Sequence, residues 1–176
     1  KDYFVYKEAL EKDYFCKRAD GPYMKGKVWP GECNFPDYTN PVVREWWAGL
    51  FKELISDIGV KGVWNDMNEP AVMEVPNKTF PMDVRHDYDG NPCSHRKAHN
   101  IYGTQMARAT YHGVKRFAYP KRPFVITRSA YAGAQRYSSS WTGDNVASWE
   151  HLWIANIQMQ RMSISGMGFT GSDIGG

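Results

Sequence analysis

Two aspartates carry the first sign of chemistry. Asp66 closes the apolar run Gly62-Val63-Trp64-Asn65-Asp66, and the polar Met67-Asn68-Glu69 that follows is stopped by Pro70. Asp144 stands just beyond a second run, Ser138 to Trp141, across the turn residues Thr142-Gly143. Carboxylates at the ends of two different strands suit cleavage of a glycosidic bond. One acid protonates the departing oxygen while the other attacks the sugar or activates water. Trp64, Trp141 and Met67 add flat apolar surface for a sugar ring, and a low-polarity wall favours the neutral form that a general acid needs. Strand-end capping or plain solvation would explain either aspartate taken singly. Glu69 competes with Asp66 for the role of nucleophile, or bonds backbone amides. Arg128, ending the run Pro123 to Thr127, either binds substrate hydroxyls or holds a neighbouring carboxylate ionised; a structural ion pair fits it equally well.

Other constellations are weaker. His95 and His99 are four residues apart, as zinc ligands on a helix would be, but Arg-Lys-Ala stands between them and the metalloprotease Glu is missing. Capping or packing at a helix start explains them better. A metal-dependent hydrolase built on His86, Asp87, His95 and His99 stays open as a third class of function. Asp87-Tyr88-Asp89-Gly90-Asn91 has its glycine at the fourth position and no closing Glu, so it is not a calcium loop. Neither a P-loop nor a GxSxG elbow is present.

The elements that must position these residues follow from periodicity. Residues 1–40 read as a loop-rich lead-in, with turn signals at Asp20-Gly21-Pro22, Pro30-Gly31 and Pro36-Asp37. Asn40 as N-cap and Pro41 at the first helical position begin a helix. Its stripe of Val43, Trp46, Trp47, Leu50, Phe51, Leu54, Ile55 and Ile58 runs to Gly59. Val60 to Trp64 is expected to be a buried strand, and residues 70–94 a long loop excursion. A second helix from about Ala98 to Tyr119, strands ending at Arg128 and Asp144, a third helix over 148–165 and a last strand ending at Asp173 complete the order.

Strands separated by helices predict a parallel α/β sheet. Polar residues at four strand ends suit a (β/α)8 TIM barrel, whose strand C-termini open on one face. A barrel takes about 250 residues, so the 176 present, with about four strands, are expected to be a central portion of one barrel domain. A net charge of only +3 calls for no nucleic-acid partner, and no apolar run reaches the ~20 residues of a membrane span. The three cysteines, Cys16, Cys33 and Cys93, form neither a disulfide framework nor a metal pattern, and leave the compartment undetermined.

The motifs together resemble glycoside hydrolase family 31, the α-glucosidase family. Trp64-Asn65-Asp66-Met67-Asn68-Glu69-Pro70 is similar to its nucleophile signature, and Trp141-Thr142-Gly143-Asp144-Asn145 to its acid/base segment. The likeness continues in order through Val28-Trp29-Pro30-Gly31, Phe35-Pro36-Asp37, His99-Asn100-Ile101-Tyr102-Gly103, Ile126-Thr127-Arg128-Ser129 and Gly171-Ser172-Asp173. The resemblance implies a retaining mechanism with Asp66 as nucleophile and Asp144 as acid, then base. It implies that Trp29, Trp64, Met67, Arg128, Trp141 and Asp173 line the pocket for an α-glucoside or oligosaccharide end. α-Xylosidase and transglucosylase activities share these acids, and a non-catalytic carbohydrate-binding relic is a further alternative. Two-carboxylate chemistry requires no metal or organic cofactor. The family's N-terminal β domain and other barrel strands are not in these residues, so the remainder of a parent chain is the expected partner. In isolation residues 1–176 are expected to be inactive or poorly folded.

Overall fold

The computed structural model describes residues 2–176. Its centre is a parallel sheet of four short strands, β3 (Val63–Asn65), β6 (Val125–Thr127), β7 (Ser139–Trp141) and β8 (Thr170–Gly171), which neighbour one another in chain order. Consecutive parallel strands without a reversal of order make an arc of a barrel, not a doubly wound sheet. Helix α3 (His95–Ala118) links β3 to β6, and α4 (Trp149–Ile164) links β7 to β8. A short 3-10 turn, Ala134–Arg136, replaces a helix between β6 and β7.

Ahead of this arc stand α1 (Phe4–Glu11), an antiparallel pair β1 (Lys25–Val28) and β2 (Gly31–Asn34), and α2 (Pro41–Gly49). The first 40 residues are therefore more regular than expected. Trp29-Pro30 forms the tip of a hairpin, where proline's missing N–H takes nothing from the ladder. Residues 70–94 form a long excursion whose only ladder is the two-residue pair β4 (Arg85–His86) and β5 (Cys93–Ser94) among the described residues. Helix α3 begins directly after it, at His95 and not Ala98.

Asn40 caps α2 as expected, its side chain accepting from the Val42 N–H at 2.8 Å. The single long helix expected up to Gly59 does not form. After Gly49 the chain turns and widens into a π-helical turn, Glu53–Asp57. The extra residue in that turn rephases the apolar stripe. Phe51 and Ile55 then meet Val114 of α3 and Val125 of β6, while Leu54 and Ile58 stay exposed. The strand predicted over Val60 to Trp64 starts at Val63, and it is not buried throughout: Trp64 is 61 % exposed on one face while its neighbour Asn65 is buried on the other. A second core of Cys16, Met24, Tyr38, Val72, Phe80, Val84 and Tyr102 binds the lead-in to the excursion and to α3.

Helices α2 and α3 cross where Gly113 faces Ala48. A Cβ at Gly113 would lie 2.5 Å from the Ala48 carbonyl oxygen and 2.9 Å from Phe51 Cδ2. Alanine gains about 1 kcal/mol of helix propensity over glycine, but overpacking against backbone costs about 1–3 kcal/mol, and a backbone oxygen cannot yield like a side-chain tip. Gly113→Ala is therefore expected to destabilise the intact protein. A denaturant midpoint equal to or above the wild type's would refute this packing.

Candidate active site

Strand register, more than any side-chain contact, assembles the site. Asn65 pairs with Thr127 and Thr127 with Ser140, so the residues one step beyond, Asp66, Arg128 and Trp141, leave the sheet side by side. The Arg128 N–H donates to the Asn65 carbonyl at 3.1 Å, which extends the ladder to the arginine itself. Met67 then takes φ +56°, the left-handed region uncommon for a side chain of its size, and turns the chain sharply after Asp66. Trp64 and Trp141 meet edge to face at 5.6 Å beside the carboxylates.

Arg128 joins three acids. Its Nε and Nη2 donate to the two carboxylate oxygens of Glu69 at 2.8 and 3.1 Å, the bidentate geometry that suits guanidinium. Its Nη1 lies 3.1 Å from Asp66 Oδ1 and donates to Asp144 Oδ2 at 3.4 Å. The Glu69 hydrogen bonds, opposed by burial and reinforced by the charges of Glu69, Asp66 and Asp144, hold the arginine's pKa above its ordinary value. Asp66 Oδ1 is close to Nη1 yet out of hydrogen-bond alignment, and it is a buried atom without a hydrogen-bond partner. The contact is thus Coulombic and leaves the oxygen's lone pairs uncommitted. Asp144 is 84 % exposed, so the low-polarity wall expected around it is not built by the described residues.

A buried amide holds this arrangement from behind. Asn68 Oδ1 accepts from the Ser129 N–H at 3.2 Å, and its Nδ2 donates to Thr127 Oγ1 at 2.9 Å, tying the turn after β3 to the end of β6. Gly103 of α3 lies against the same turn. A Cβ there would fall 2.7 Å from the Asn68 carbonyl oxygen and from Ser129.

The histidines lie elsewhere. His86, His95 and His99 come together as expected of a cluster, but Asp87 bonds the Gly90 N–H instead of joining them. Their ring nitrogens face one another at 2.9 Å, so they use each other's lone pairs. Cys16, Asp37 and His86 bring possible metal donors within 4.8 Å of one another. His86 Nδ1 already sits 3.0 Å from Asp37 Oδ1, however, and that oxygen also accepts from Thr39.

Residues 1–176 match the model of the glycosyl hydrolases family 31 TIM-barrel domain throughout. The chain belongs to glycoside hydrolase family 31. Over 99 % of its length it is 47 % identical to alpha-glucosidase 2 of Bacillus thermoamyloliquefaciens and 43 % identical to human neutral alpha-glucosidase C, covering 22 % and 19 % of those proteins. The crystal structure of a glucosidase II alpha subunit bound to DNJ superposes over the whole chain with a TM-score of 0.90 at 40 % identity, and the chain covers 19 % of it. The chain thus spans about a fifth of the length of these relatives, and its fold is part of a (β/α)8 barrel.

Within this family 31 segment the structure gathers Asp66, Met67, Arg128, Trp64, Trp141 and Asp144 of the predicted residues. Trp29 stands apart at the hairpin tip, 82 % exposed, and Asp173 is exposed beyond β8. Neither shares a hydrogen bond, ion pair or ring contact with the Arg128 cluster among the described residues. Two residues take roles that local pattern does not give: Glu69, a rival nucleophile by sequence, is the partner of Arg128, and Asn68 ties the turn to β6. An amide placed between two acids in a run that leads out of a core was the available signal for Asn68.

Glu69→Gln keeps the shape but removes the charge that orients Arg128. Charge-assisted bonds contribute about 1.5–3 kcal/mol each to stability, so the intact enzyme is expected to lose melting temperature, and its kcat/KM to fall roughly 10- to 100-fold as Arg128 loses its orientation. Unchanged kinetics would show that Arg128 does not depend on Glu69.

Proposed function

We propose that these residues are the catalytic segment of a retaining, exo-acting α-glucosidase that releases terminal, non-reducing α-linked glucose from oligosaccharides. The observation that carries this reading is the approach of Asp66 and Asp144, from two different strands, to one guanidinium nitrogen at 3.1 and 3.4 Å. Two oxygens on one nitrogen at those distances cannot be farther apart than the lower end of the inverting range, about 6.5–9.5 Å; retaining pairs stand about 5–5.5 Å apart. The α-glucosidases among the relatives support the sugar and the linkage type.

In this reading Asp66, whose facing oxygen has free lone pairs, attacks the anomeric carbon. The glycosidic C–O bond breaks and the Asp144 proton passes to the leaving oxygen. A covalent glycosyl ester on Asp66 results. Asp144, now ionised, takes a proton from water, whose oxygen attacks the same carbon and releases Asp66. Two inversions give net retention. Arg128 keeps the acids apart from one another's repulsion, while Trp64, Trp141 and Met67 offer the sugar a surface. Trp29 and Asp173 complete the pocket, together with the remainder of the parent chain.

The test is azide rescue in the intact enzyme with an aryl α-glucoside. Asp66→Ala is expected to be inactive and to yield β-glucosyl azide when azide is added. Asp144→Ala is expected to lose roughly 10²- to 10⁴-fold and to yield the α-azide. Near-wild-type turnover by both variants would overturn the assignment and also leave room for a carbohydrate-binding role alone.

A further inference from the structure

Away from the Arg128 cluster, a buried chain of groups runs from Asp37 to the half-buried His99. His86 Nδ1 lies 3.0 Å from Asp37 Oδ1, His86 Nε2 lies 2.9 Å from His95 Nδ1, and His95 Nε2 lies 2.9 Å from His99 Nδ1. The four residues come from three places: the loop before α2, strand β4 and the first turns of α3. His86 is 2 % exposed and His95 fully buried, and the Phe80 ring packs on both.

We propose that Asp37, His86, His95 and His99 form an acid-sensitive latch, which joins the lead-in, the excursion and the start of α3 when its imidazoles are neutral and opens when they take up protons. Hydrogens and lone pairs along the chain must match. Each of the two imidazole–imidazole contacts needs one N–H and one lone pair. Asp37 is a carboxylate that accepts, so His86 Nδ1 carries the hydrogen that faces it. With three neutral rings the remaining polarity is then fixed: His95 Nδ1–H donates to His86, and His99 Nδ1–H donates to His95. One extra proton can enter at His99 Nε2 and shift along the chain by reversing both imidazole contacts, with no bond lost. A second extra proton has no place. It leaves two N–H groups facing each other in a dry interior.

The opened segment can protonate all three rings; the closed one can hold a single added proton. Acid therefore favours opening. Burial, and then repulsion from His86 and His99, depresses His95 from 6.5 to about 3. A group whose folded pKa is depressed contributes stability above its unfolded value that is lost as pH falls, here from about 6.5 towards 3. Asp37 does not act between pH 7 and 5, since a lowered carboxylate pKa makes itself felt only below the ordinary value near 3.8. Burial works against its charge, but the His86 hydrogen bond and charge, the Asp87 N–H and Thr39 together lower its pKa below the ordinary value.

The other groups facing the chain do not compete. The Cys16 thiol is 3.9 Å from His86 Nδ1, and Tyr38 and Tyr102 border the same core; burial pushes all three upward, away from the acid range. Arg44 donates to the carbonyls of Tyr38 and Thr39 and pairs with Asp89. Arg85 donates to the Ala19 carbonyl, Lys97 lies over the Tyr88 ring, Asp87 bonds Gly90, and Arg96 is exposed. The latch reaches the candidate active site through α3, since Gly103, about two turns beyond His95, carries the carbonyl that accepts from Asn68 Nδ2 at 3.4 Å.

Hydrogen–deuterium exchange of the intact enzyme at pH 7 and pH 5, corrected for the intrinsic rate, tests this without reference to turnover. Peptides covering 35–39 and 84–99 are expected to open at least roughly 25-fold more at pH 5, the value set by His95 alone. Peptides over 125–127 and 139–141 should change far less. His95→Phe, which keeps a ring against Phe80 but takes no proton, should reduce the response below about threefold. If that variant does not fold, His95→Gln, whose amide can donate to His86 and accept from His99 but cannot protonate, should reduce it likewise. Equal opening in latch and strand peptides of the wild type overturns the proposal. So does protection of the latch peptides at pH 7 by added zinc, reversed by EDTA, which would make Cys16, Asp37 and His86 a metal site.

Discussion

One guanidinium faces three carboxyl groups at the centre of this molecule. Asp66, Glu69 and Asp144 arrive from two strand ends and a turn, and Arg128 is the only basic residue that pairs with them among the described residues. Carboxylates drawn to one nitrogen repel one another, and the guanidinium offsets that repulsion. The arginine does not divide itself evenly. Its two best-aligned bonds go to Glu69, which leaves the single nitrogen Nη1 to face both aspartates. Glu69 therefore sets the angle of the guanidinium, and that angle sets how firmly each aspartate is held. A looser hold on Asp66 leaves an anion that is stabilised by charge and still able to form a bond.

This balance is possible only because the backbone brings the arginine to the right place. A slip of one residue between β3 and β6 would send Arg128 to the opposite face of the sheet. Register is protected by Asn68, whose side chain bonds both Thr127 and Ser129, and by the close approach of Gly103, which admits no side chain. Both are buried, and neither is charged. The apolar support is uneven: α3 is packed on both flanks, whereas Trp149, Leu152, Trp153 and Ile154 of α4 are exposed. A helix with that many exposed large apolar residues is polar on no face and needs further cover.

The sequence disclosed the parallel strands and their polar ends because each rests on local pattern. Apolar runs bounded by Pro and Gly mark β6 and β7, and the Asn40-Pro41 pair marks the start of α2. Where tertiary contacts decide, local pattern misled. The stripe from Val43 to Ile58 has helical spacing throughout, yet Val114 and Val125 pull Phe51 and Ile55 inward and the helix widens to follow them. In residues 25–34 Pro30 gives the local pattern of a loop, although a proline at a hairpin tip interrupts nothing. Glu69 was visible as a carboxylate but not as the partner of Arg128, since 59 residues separate the two.

The imidazole chain marks the same boundary more sharply. His95 and His99 share one helix face, so their contact follows from spacing four apart. What that contact is for does not follow, because a metal pair and a hydrogen-bonded pair have the same spacing. The deciding group is Asp37, 49 residues from His86, which supplies an acceptor at one end and so fixes where every hydrogen must lie. A metal would need the lone pair of His86 Nδ1 that this carboxylate forces to be a donor. Direction along the chain, and with it the response to acid, is therefore a property of the folded arrangement and of no segment alone.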